Sequence, residues 1–371
     1  MKVALFCNEF PPRQTGGIGT FTSTLVLGLI ESGHQVTLIE TGMQNVVSIE
    51  SLGLKRVTLK KSKLLYIGGF LIRVKLWLYL QKSWFKGEID VVEVPDFEGY
   101  IPFPSLIPVV VRLHISTTLI YCRQGRKPPT TLYLFEYWTL KFAKSWIGVS
   151  QFILKETENG FKIEKKSKSI VYNPIKESVI VKSQEQIEQI ILFAGTLSER
   201  KGVLTLAHAL ALVLERNPLA NVIFAGRSTE YQGRPIEDTV KKVLNEYLHQ
   251  VSFLGHISHN EMLLLMANAT CFVFPSKFES FGLVVAEAMS IGLPVIYTKF
   301  PPGPELVKEG ITGLLVDPEN PSEIAKAIER LISDPEFSQQ LAHAARTYCL
   351  ENFTLDNCVK ATIANYKQII D

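Results

Sequence analysis

The stretch 271–294 constrains the fold of this chain more than any other. Its first four residues are apolar and predict a buried strand; after a short loop, a helix is predicted to begin near Ser280 and to end before the Gly-Leu-Pro turn that closes the stretch. A strand, a loop and an apolar helix in this order are typical of a parallel sheet covered by helices. Two carboxylates, Glu279 and Glu287, interrupt the apolar pattern and require an explanation.

The spacing of the two carboxylates suits a long ligand. Eight positions on one helix correspond to ~12 Å along its axis, which is too far for Glu279 and Glu287 to share a proton as an acid/base pair. Glu279 is predicted just ahead of the helix, where free backbone amides and the positive end of the helix dipole collect anionic or hydroxyl-rich groups. Those amides belong to Ser280, Phe281 and Gly282. We therefore predict a ligand with sugar-like ends, held at the tips of the strand and the helix.

From position 275 onward the sequence reads Pro-Ser-x-x-Glu-Ser-Phe-Gly-Leu-x-x-x-Glu-Ala-Met-x-x-Gly-Leu-Pro-Val. This stretch resembles the Glu-x7-Glu signature of retaining glycosyltransferases of family four, which have the α/β GT-B fold. The resemblance implies two Rossmann-like domains facing a central cleft, and transfer of a hexose from a nucleotide diphosphate sugar to a hydroxyl group with retention. Glu279 is implied to be catalytic, and Glu287 to bind the ribose. The donor sugar is implied to lie against Glu279, Ser280, Phe281 and Gly282.

Chain length indicates two domains. A chain of 371 residues is long for one core, and strands alternate with helices in both halves. We predict a Rossmann-like acceptor domain at 1–180 and a Rossmann-like nucleotide-sugar donor domain at 188–353, joined by a polar linker at 176–188. The resemblance implies that a C-terminal helix, 354–371, packs back on the first domain.

Composition excludes several classes of function. A net charge of +3 is too small to indicate nucleic-acid binding, and the chain contains no apolar run long enough to span a bilayer. Five cysteines, odd in number and without metal-ligand spacing, and an N-terminus without a signal-peptide pattern favour a reducing cytoplasm. We expect neither a metal nor a resident cofactor, because the nucleotide sugar is a co-substrate and no Asp-x-Asp follows a strand.

The glycine-rich loop 8–19 follows the N-terminal strand and has three interpretations. It is longer than the tight turn of a nicotinamide-binding Gly-x-Gly-x-x-Gly, whose third glycine is replaced by Thr22, and only Glu40, at the end of the second strand, favours that function. A flexible loop without a ligand is the second alternative. The resemblance implies that Gly16 and Gly17 let backbone amides approach the donor diphosphate or the acceptor.

Strand 108–114 ends in Arg-Leu-His, and ligands of open α/β sheets bind at the carboxyl ends of strands. A single histidine at a strand end is more often structural than functional. The ending resembles the Arg-x-His of the family, which implies that His114 is catalytic and contacts the donor sugar near the leaving group. The stretch 97–99, Phe-Glu-Gly, is also similar to the family and is predicted to shape the acceptor side.

A second strand-loop-helix unit, 190–203, carries two adjacent cations, Arg200 and Lys201, in a glycine-bearing loop. A guanidinium fork and an ammonium point charge both offset the negative charge on a departing diphosphate, which predicts a diphosphate site. The loop is not a Walker loop, and a basic turn that only caps a strand is the alternative. Family members commonly carry Arg directly after the first glycine, where this chain has Thr196, so Arg200 is expected to substitute.

Two further strands end in loops that the resemblance assigns to the nucleoside. Backbone within 251–257 is implied to meet the base, and nothing in the sequence selects uracil over guanine. UDP-glucose and related UDP-hexoses are favoured only by their frequency in the family. The implied nucleoside contacts are Gly226, Leu254, His256, Ile257 and Glu287.

Segment 51–87 is basic and has no acidic residue, yet it is rich in large apolar side chains. Such a mixture suits contact with anionic lipid at the inner face of a plasma membrane. A helix packed on the first domain with a solvated basic face accounts for the pattern equally well. The basic residues are Lys55, Arg56, Lys60, Lys61, Lys63, Arg73, Lys75, Lys82 and Lys86.

Two other classes of protein stay open at this point. A nucleotide-sugar epimerase or hydrolase of the same fold would need positioned acid/base groups beyond His114, and a catalytically silent binding protein at a membrane surface would not need both glutamates. The favoured function is a hexosyltransferase of polysaccharide or glycolipid synthesis. It would act on a sugar or lipid-linked sugar acceptor by a front-face mechanism without a covalent intermediate.

Overall fold

The computed structural model describes the chain except for a few short segments. The chain divides into two compact units, Met1–Pro174 with Leu355–Asp371, and Ile175–Thr354. The predicted linker, 176–188, lies outside the described residues. The described residues are 1–11, 16–50, 53–62, 64, 67–175 and 189–370.

The described strands are β1 Lys2–Phe6, β2 Gln35–Gly42, β3 Val46–Ile49, β4 Lys55–Lys60, β5 Val91–Pro95, β6 Val109–Leu113, β7 Ser145–Gly148, β8 Lys168–Ile170, β9 Gln189–Ala194, β10 Ala220–Ala225, β11 Glu230–Tyr231, β12 Arg234–Pro235, β13 Val251–Gly255, β14 Cys271–Phe274, β15 Val295–Thr298 and β16 Leu314–Val316. The described α-helices are α1 Gly17–Glu31, α2 Gly68–Phe85, α3 Thr117–Arg123, α4 Thr130–Phe142, α5 Gln151–Phe161, α6 Val203–Arg216, α7 Ile236–Val243, α8 His259–Asn268, α9 Leu283–Ser290, α10 Gly303–Leu306, α11 Pro321–Ser333, α12 Pro335–Asn352 and α13 Leu355–Ile370.

The first unit is built on an eight-stranded sheet, whose order in the described residues is β3-β4-β2-β1-β5-β6-β7-β8. Neighbouring strands are parallel except β3, which pairs antiparallel with β4. Strand β6 is buried along its whole length, as expected of a central strand covered on both faces. The carboxyl ends of the parallel strands therefore lie at one edge of the sheet.

Helix α13 belongs to the first unit and packs against α1. A Cβ on Gly28 of α1 would lie 2.6 Å from the side chain of Val359 and 2.8 Å from that of Leu355, so glycine allows the two helices to approach closely. Tyr366 of α13 is buried and donates a hydrogen bond of 2.7 Å to Glu93 on β5. The C-terminal helix thus shares the core of the first unit.

The second unit is built on a six-stranded parallel sheet, in the order β13-β10-β9-β14-β15-β16 within its described residues. Aromatic rings fill the centre of this sheet. The ring centroid of Phe193 lies 5.5 Å from that of Phe274, and that of Phe224 lies 5.0 Å from that of Phe253. The carboxyl ends of β9, β10 and β14 share one edge.

The helix that follows β14 begins later than predicted. Strand Cys271–Phe274 is confirmed, but α9 begins at Leu283 rather than near Ser280. Gly282 precedes the helix with a φ of +100°, a left-handed conformation that interrupts helical geometry and favours glycine. A Cβ there would also lie 2.5 Å from Tyr297 Oη. The stretch 280–282 is therefore part of the loop and not the first turn of the helix.

Segment 51–87 forms β4 and α2 where it is described; Lys63 lies outside the described residues. One face of α2 packs into the first unit and buries Ile72, Leu76 and Leu80. The opposite face exposes large apolar side chains, among them Leu71, Leu78 and Phe85. No helix in the part of the chain that the structure describes is long and apolar enough to cross a membrane.

Candidate active site

The loops after β9 and β14 touch, and this contact positions the two adjacent cations. A single 3₁₀ turn, Glu199–Lys201, ends at Gly202, whose φ of +74° is left-handed. A Cβ on Gly202 would lie 1.9 Å from the carbonyl oxygen of Pro275, so only glycine fits. The amide of Lys277 donates a 2.9 Å hydrogen bond to the carbonyl of Arg200. The predicted diphosphate site and the predicted sugar site are thus in direct contact.

The carboxylate of Glu279 is held from two sides. Lys201 Nζ forms an ion pair with Glu279 Oε1, and Ser276 Oγ donates to the same oxygen over 2.9 Å. Arg200 Nη1 donates to the carbonyl of Phe278 over 3.2 Å. Burial lowers the pKa of the Lys201 ammonium below its usual range, although the Glu279 carboxylate counteracts this. The geometry therefore places a buried carboxylate and a partly desolvated cation side by side.

Ser276 is a contact that sequence reasoning missed. Its side chain is fully buried, and its hydroxyl also lies 3.0 Å from the carbonyl of Phe278 and 3.2 Å from that of Arg200. The only signal in the sequence is its place in the Pro-Ser dipeptide ahead of Glu279. Ser276 fixes the loop that carries the carboxylate.

The three residues after Glu279 are placed differently from the prediction. Because α9 begins at Leu283, the amides of Ser280, Phe281 and Gly282 are loop amides and not the first amides of a helix. Phe281 is buried, with its ring 5.4 Å from that of Phe353. The implied contact of these residues with a donor sugar stays a prediction.

Glu287 stands on α9 in a largely apolar surrounding. Its neighbours on the helix, Ala286 and Ala288, are fully buried, and Glu287 itself is half-buried. Burial raises the pKa of its carboxyl from an ordinary value of 4.5 to about 7. A ligand whose hydroxyl groups donate hydrogen bonds to this half-buried carboxyl stabilises its charged form.

The implied nucleoside contacts lie at the ends of β10 and β13. Gly226 donates a 2.7 Å hydrogen bond to the carbonyl of Gly255, and a Cβ on Gly226 would lie 1.9 Å from the carbonyl of Gly195. Leu254 and His256 are exposed, and Ile257 is half-buried. In the sheet order these strands lie on one side of β9, whereas Glu279 and Glu287 follow β14 on its other side.

His114 stands at the end of β6 in the first unit. Its side chain is buried, its backbone amide donates a 3.0 Å hydrogen bond to Asp96, and its ring centroid lies 5.1 Å from that of Phe21. Burial, with the nearby Arg112 guanidinium, lowers the pKa of the imidazole to about 3. His114 is therefore neutral in the physiological range, and its imidazole can donate one hydrogen bond but cannot serve as a cation.

A buried carboxylate pair next to His114 was also missed. Asp96 is fully buried, and burial, with the nearby Glu136 carboxylate, raises its pKa to about 7. Glu136 accepts hydrogen bonds from the backbone amides of Glu98, Thr117 and Thr118. The position of Asp96 after β5 is a strand-end signal that could have revealed it. Glu98 itself has a left-handed backbone conformation, with a φ of +62°.

Gly16 and Gly17 lie at the start of α1 and are exposed. A Cβ on Gly17 would meet no atom within 4 Å, whereas one on Gly19 would lie 2.1 Å from the carbonyl of Glu9. The dinucleotide alternative loses its support, because the carboxylate of Glu40 accepts hydrogen bonds of 2.9 Å from Arg56 and 2.8 Å from Thr58. Residues 12–15 of this loop lie outside the described residues.

The predicted site residues thus fall into two groups. The first unit contains His114, Gly16 and Gly17, and the second contains the two glutamates, the two cations and the implied nucleoside contacts. Among the described residues, no group of three or more His, Cys, Asp or Glu side chains is placed to hold a metal ion.

Comparisons with known proteins match both parts of the chain to family models. The family model "Glycosyltransferase Family 4" matches residues 15–179, and "Glycosyl transferases group 1" matches residues 176–348. The chain is 27% identical to an uncharacterized glycosyltransferase of Methanocaldococcus jannaschii, over 99% of this chain and 98% of the relative.

Solved structures share the fold over nearly the whole chain. Sucrose-phosphate synthase from Thermosynechococcus elongatus superposes with a TM-score of 0.77 at 20% identity, covering 99% of this chain and 98% of that one. HepE of Anabaena, in complex with UDP-glucose, superposes with a TM-score of 0.79 at 18% identity, covering 99% and 100%.

The predicted GT-B fold is confirmed, and the chain is a glycosyltransferase of the GT-B type. More narrowly, it is similar to the glycosyltransferases of family four.

Proposed function

We propose that this glycosyltransferase moves a hexose from a UDP-hexose, with UDP-glucose favoured, to a hydroxyl group of a sugar or lipid-linked sugar, with retention and without a metal ion. The observation that carries the proposal is the contact of Lys201 with Glu279, beside Ser276 and within the same unit as Glu287. A cation paired with Glu279, and a second carboxylate eight residues further along the same strand-loop-helix segment, suit a diphosphate flanked by a sugar and a ribose. The structural relative HepE was solved with UDP-glucose.

The residues divide the chemistry among them. Lys201 and Arg200 offset the charge that develops on the departing diphosphate, and Glu279 accepts hydrogen bonds from the hydroxyl groups of the hexose. Glu287 accepts hydrogen bonds from the ribose hydroxyls, and neutral His114 donates one to the hexose near its reacting carbon. The bond between the anomeric carbon and the phosphate oxygen breaks as the acceptor oxygen bonds to the same face. The acceptor proton passes to the departing phosphate oxygen.

The test is release of nucleoside diphosphate from UDP-, GDP- and ADP-hexoses in the presence of EDTA. We expect turnover of a UDP-hexose by the wild type and a loss of about 100-fold or more in Glu279→Ala. Glu246→Ala, which removes an exposed carboxylate of the same unit, is the matched control and is expected to behave as wild type. Turnover that requires a metal, or that survives Glu279→Ala, would refute the assignment.

We also propose that α2 contacts an anionic membrane surface. Leu71, Leu78 and Phe85 recur every seven residues and so lie on one exposed face of the helix, which Lys75 and Lys82 border on the next stripe. Apolar side chains enter the interface while neighbouring lysines contact anionic headgroups. This arrangement brings the enzyme to a lipid-linked acceptor.

Sedimentation with phosphatidylglycerol-containing vesicles and with pure phosphatidylcholine vesicles tests the contact. We expect binding to the anionic vesicles, weakened about 3- to 10-fold by Phe85→Ser or Leu78→Ser. Leu219→Ser, which changes an exposed leucine of the second unit, is the control. Equal binding of all variants would rule out α2 as the contact.

A further inference from the structure

Two cavities at the carboxyl edge of the first sheet share one lysine. The first, of about 240 Å³, is lined among others by Asn8, Glu98, Tyr100 and Lys61. The second, of about 510 Å³, is lined by Lys60, Lys61, Ser62, Leu71, Ile72 and Lys75. Because Lys61 lines both cavities, one ligand can extend from the first into the second.

The first cavity suits the hydroxyl groups of a sugar. Asn8 Nδ2 donates a 2.8 Å hydrogen bond to Tyr100 Oη, which in turn donates to Glu98. Burial, together with the Glu98 carboxylate, raises the pKa of Tyr100, so its hydroxyl keeps its proton. Asn8 Oδ1 accepts two 2.9 Å hydrogen bonds from Thr41, which fix the amide. The cavity therefore presents an orienting carboxylate, an amide and a hydroxyl in fixed positions.

The second cavity suits a phosphate. Lys75 Nζ contacts only neutral atoms among the described residues, Asn45 Oδ1 at 2.7 Å and the carbonyl of Lys60 at 3.4 Å. The amide of Lys61 donates a 2.8 Å hydrogen bond to the carbonyl of Gly42 and so anchors the chain that carries the lysines. Three lysines line this cavity, and their positive charge favours an anion with more than one negative charge.

The second cavity also has an apolar wall that leads away from the lysines. Leu71 lines the cavity and is exposed, and it begins the apolar face of α2 that continues with Leu78 and Phe85. A ligand that leaves the cavity along this face would cover it with an apolar chain. The order along the surface is thus hydroxyl-binding groups, cations and apolar side chains.

We infer that the acceptor is an amphiphile in which a saccharide is joined through a phosphate or diphosphate to an apolar chain. The saccharide occupies the first cavity, the phosphate groups lie among Lys60, Lys61 and Lys75, and the chain runs along α2. This inference rests on the proposed function and names its acceptor class.

Equilibrium binding of farnesyl diphosphate, inorganic pyrophosphate and farnesol by calorimetry tests the inference. The wild type is expected to bind farnesyl diphosphate at least ~10-fold more tightly than either of the other two probes. Lys61→Met and Lys75→Met keep the apolar stem of the side chain but remove its charge. Each should weaken the binding of farnesyl diphosphate ~10-fold. Lys155→Met, which changes an exposed lysine on α5 of the same unit, is the matched control and should bind within about twofold of wild type.

Four results would overturn the inference. Pyrophosphate that binds as tightly as farnesyl diphosphate would reveal a site for a free phosphate ion, and farnesol that binds as tightly would reveal an apolar surface without a phosphate site. Equal affinity of Lys61→Met, Lys75→Met and Lys155→Met for farnesyl diphosphate would show that the ligand does not occupy the second cavity. A wild type that binds UDP, and loses it in Glu287→Ala, but not farnesyl diphosphate would overturn the acceptor class while leaving the donor assignment intact.

Discussion

The proposed donor site of the second unit and the proposed acceptor site of the first unit are built in different ways. Glu279 and Glu287 come from one strand-loop-helix segment, and a single neighbouring loop supplies Lys201. The acceptor cavities instead combine Asn8, Lys61 and Tyr100, which follow three different strands. A site made from one or two short segments leaves a readable sequence pattern, whereas a site assembled from many strand ends does not.

The largest expected effect tests the compact donor site. Lys201→Met removes the cation from the departing diphosphate and leaves the buried Glu279 carboxylate without its ion pair. We expect kcat/KM for the nucleotide sugar to fall ~10²- to 10³-fold. Arg200→Met should cost less, because Arg200 is exposed and can be replaced in part by solvent. Steady-state kinetics on the two variants checks the order, and equal losses would contradict it.

The second prediction concerns Glu287 and pH. Its pKa of about 7 means that the free protein holds a proton there below neutrality, so donor affinity should fall as pH drops from 8 to 6. Glu287→Gln should weaken donor binding ~10-fold or more and remove this pH dependence. Calorimetric titration with UDP across this pH range measures both effects.

The same carboxylate makes a separate prediction about stability. A folded-state pKa above the ordinary 4.5 means that ionisation of Glu287 destabilises the ligand-free fold as pH rises through that interval up to about 7. Glu287→Gln should therefore raise the melting temperature at pH 8 and change it little at pH 4. A variant that is less stable than wild type at pH 8 would show that Glu287 serves the fold and not a ligand.

A smaller effect is expected from the dispersed acceptor site. Tyr100→Phe removes the hydroxyl between Asn8 and Glu98 but keeps the buried ring. We expect the KM for the acceptor to rise about 3- to 10-fold, with the affinity for UDP unchanged. Tyr231→Phe, in the second unit, is the control. Equal changes in acceptor KM and UDP affinity would show that the cavity is not specific to the acceptor.

The smallest expected effect concerns His114, whose imidazole is not expected to titrate in the assay range. The pKa of His114, about 3, keeps the imidazole neutral throughout the usual assay range. The pH profile of kcat/KM between pH 5 and pH 9 should therefore keep its shape in the His114→Asn variant, and only its amplitude should change. A step near pH 6.5 that disappears in the variant would show that His114 titrates during catalysis.

The sequence predicted most of the fold, whereas the assignment of residues to the donor site stays a prediction. Strand Cys271–Phe274 and the start of α6 at Val203 agree with the structure because apolar runs and flanking glycines mark them locally. The start of α9 was predicted wrongly because helix propensity cannot reveal that Gly282 adopts a left-handed conformation, which depends on its approach to Tyr297.

The acceptor side could not be predicted in the same way. The contact of Asn8 with Tyr100 joins residues 92 positions apart, and Arg56 reaches Glu40 on a neighbouring strand. Pairings of this kind follow from the order of strands in the sheet, which a single sequence does not specify. The composition of 51–87 indicated a special surface, but only the structure separates its packed face from its exposed one.

The most direct test of the central claim compares the affinities of UDP-glucose and UDP for the wild type, Glu279→Ala and Glu287→Ala. If Glu279 holds the hexose and Glu287 the ribose, Glu279→Ala should weaken the binding of UDP-glucose ~10-fold or more and leave the binding of UDP within about twofold of wild type. Glu287→Ala should weaken the binding of both ligands equally. An equal loss of affinity for the two ligands in Glu279→Ala, or no loss for either ligand in either variant, would contradict the assignment of the two carboxylates to the two ends of the donor.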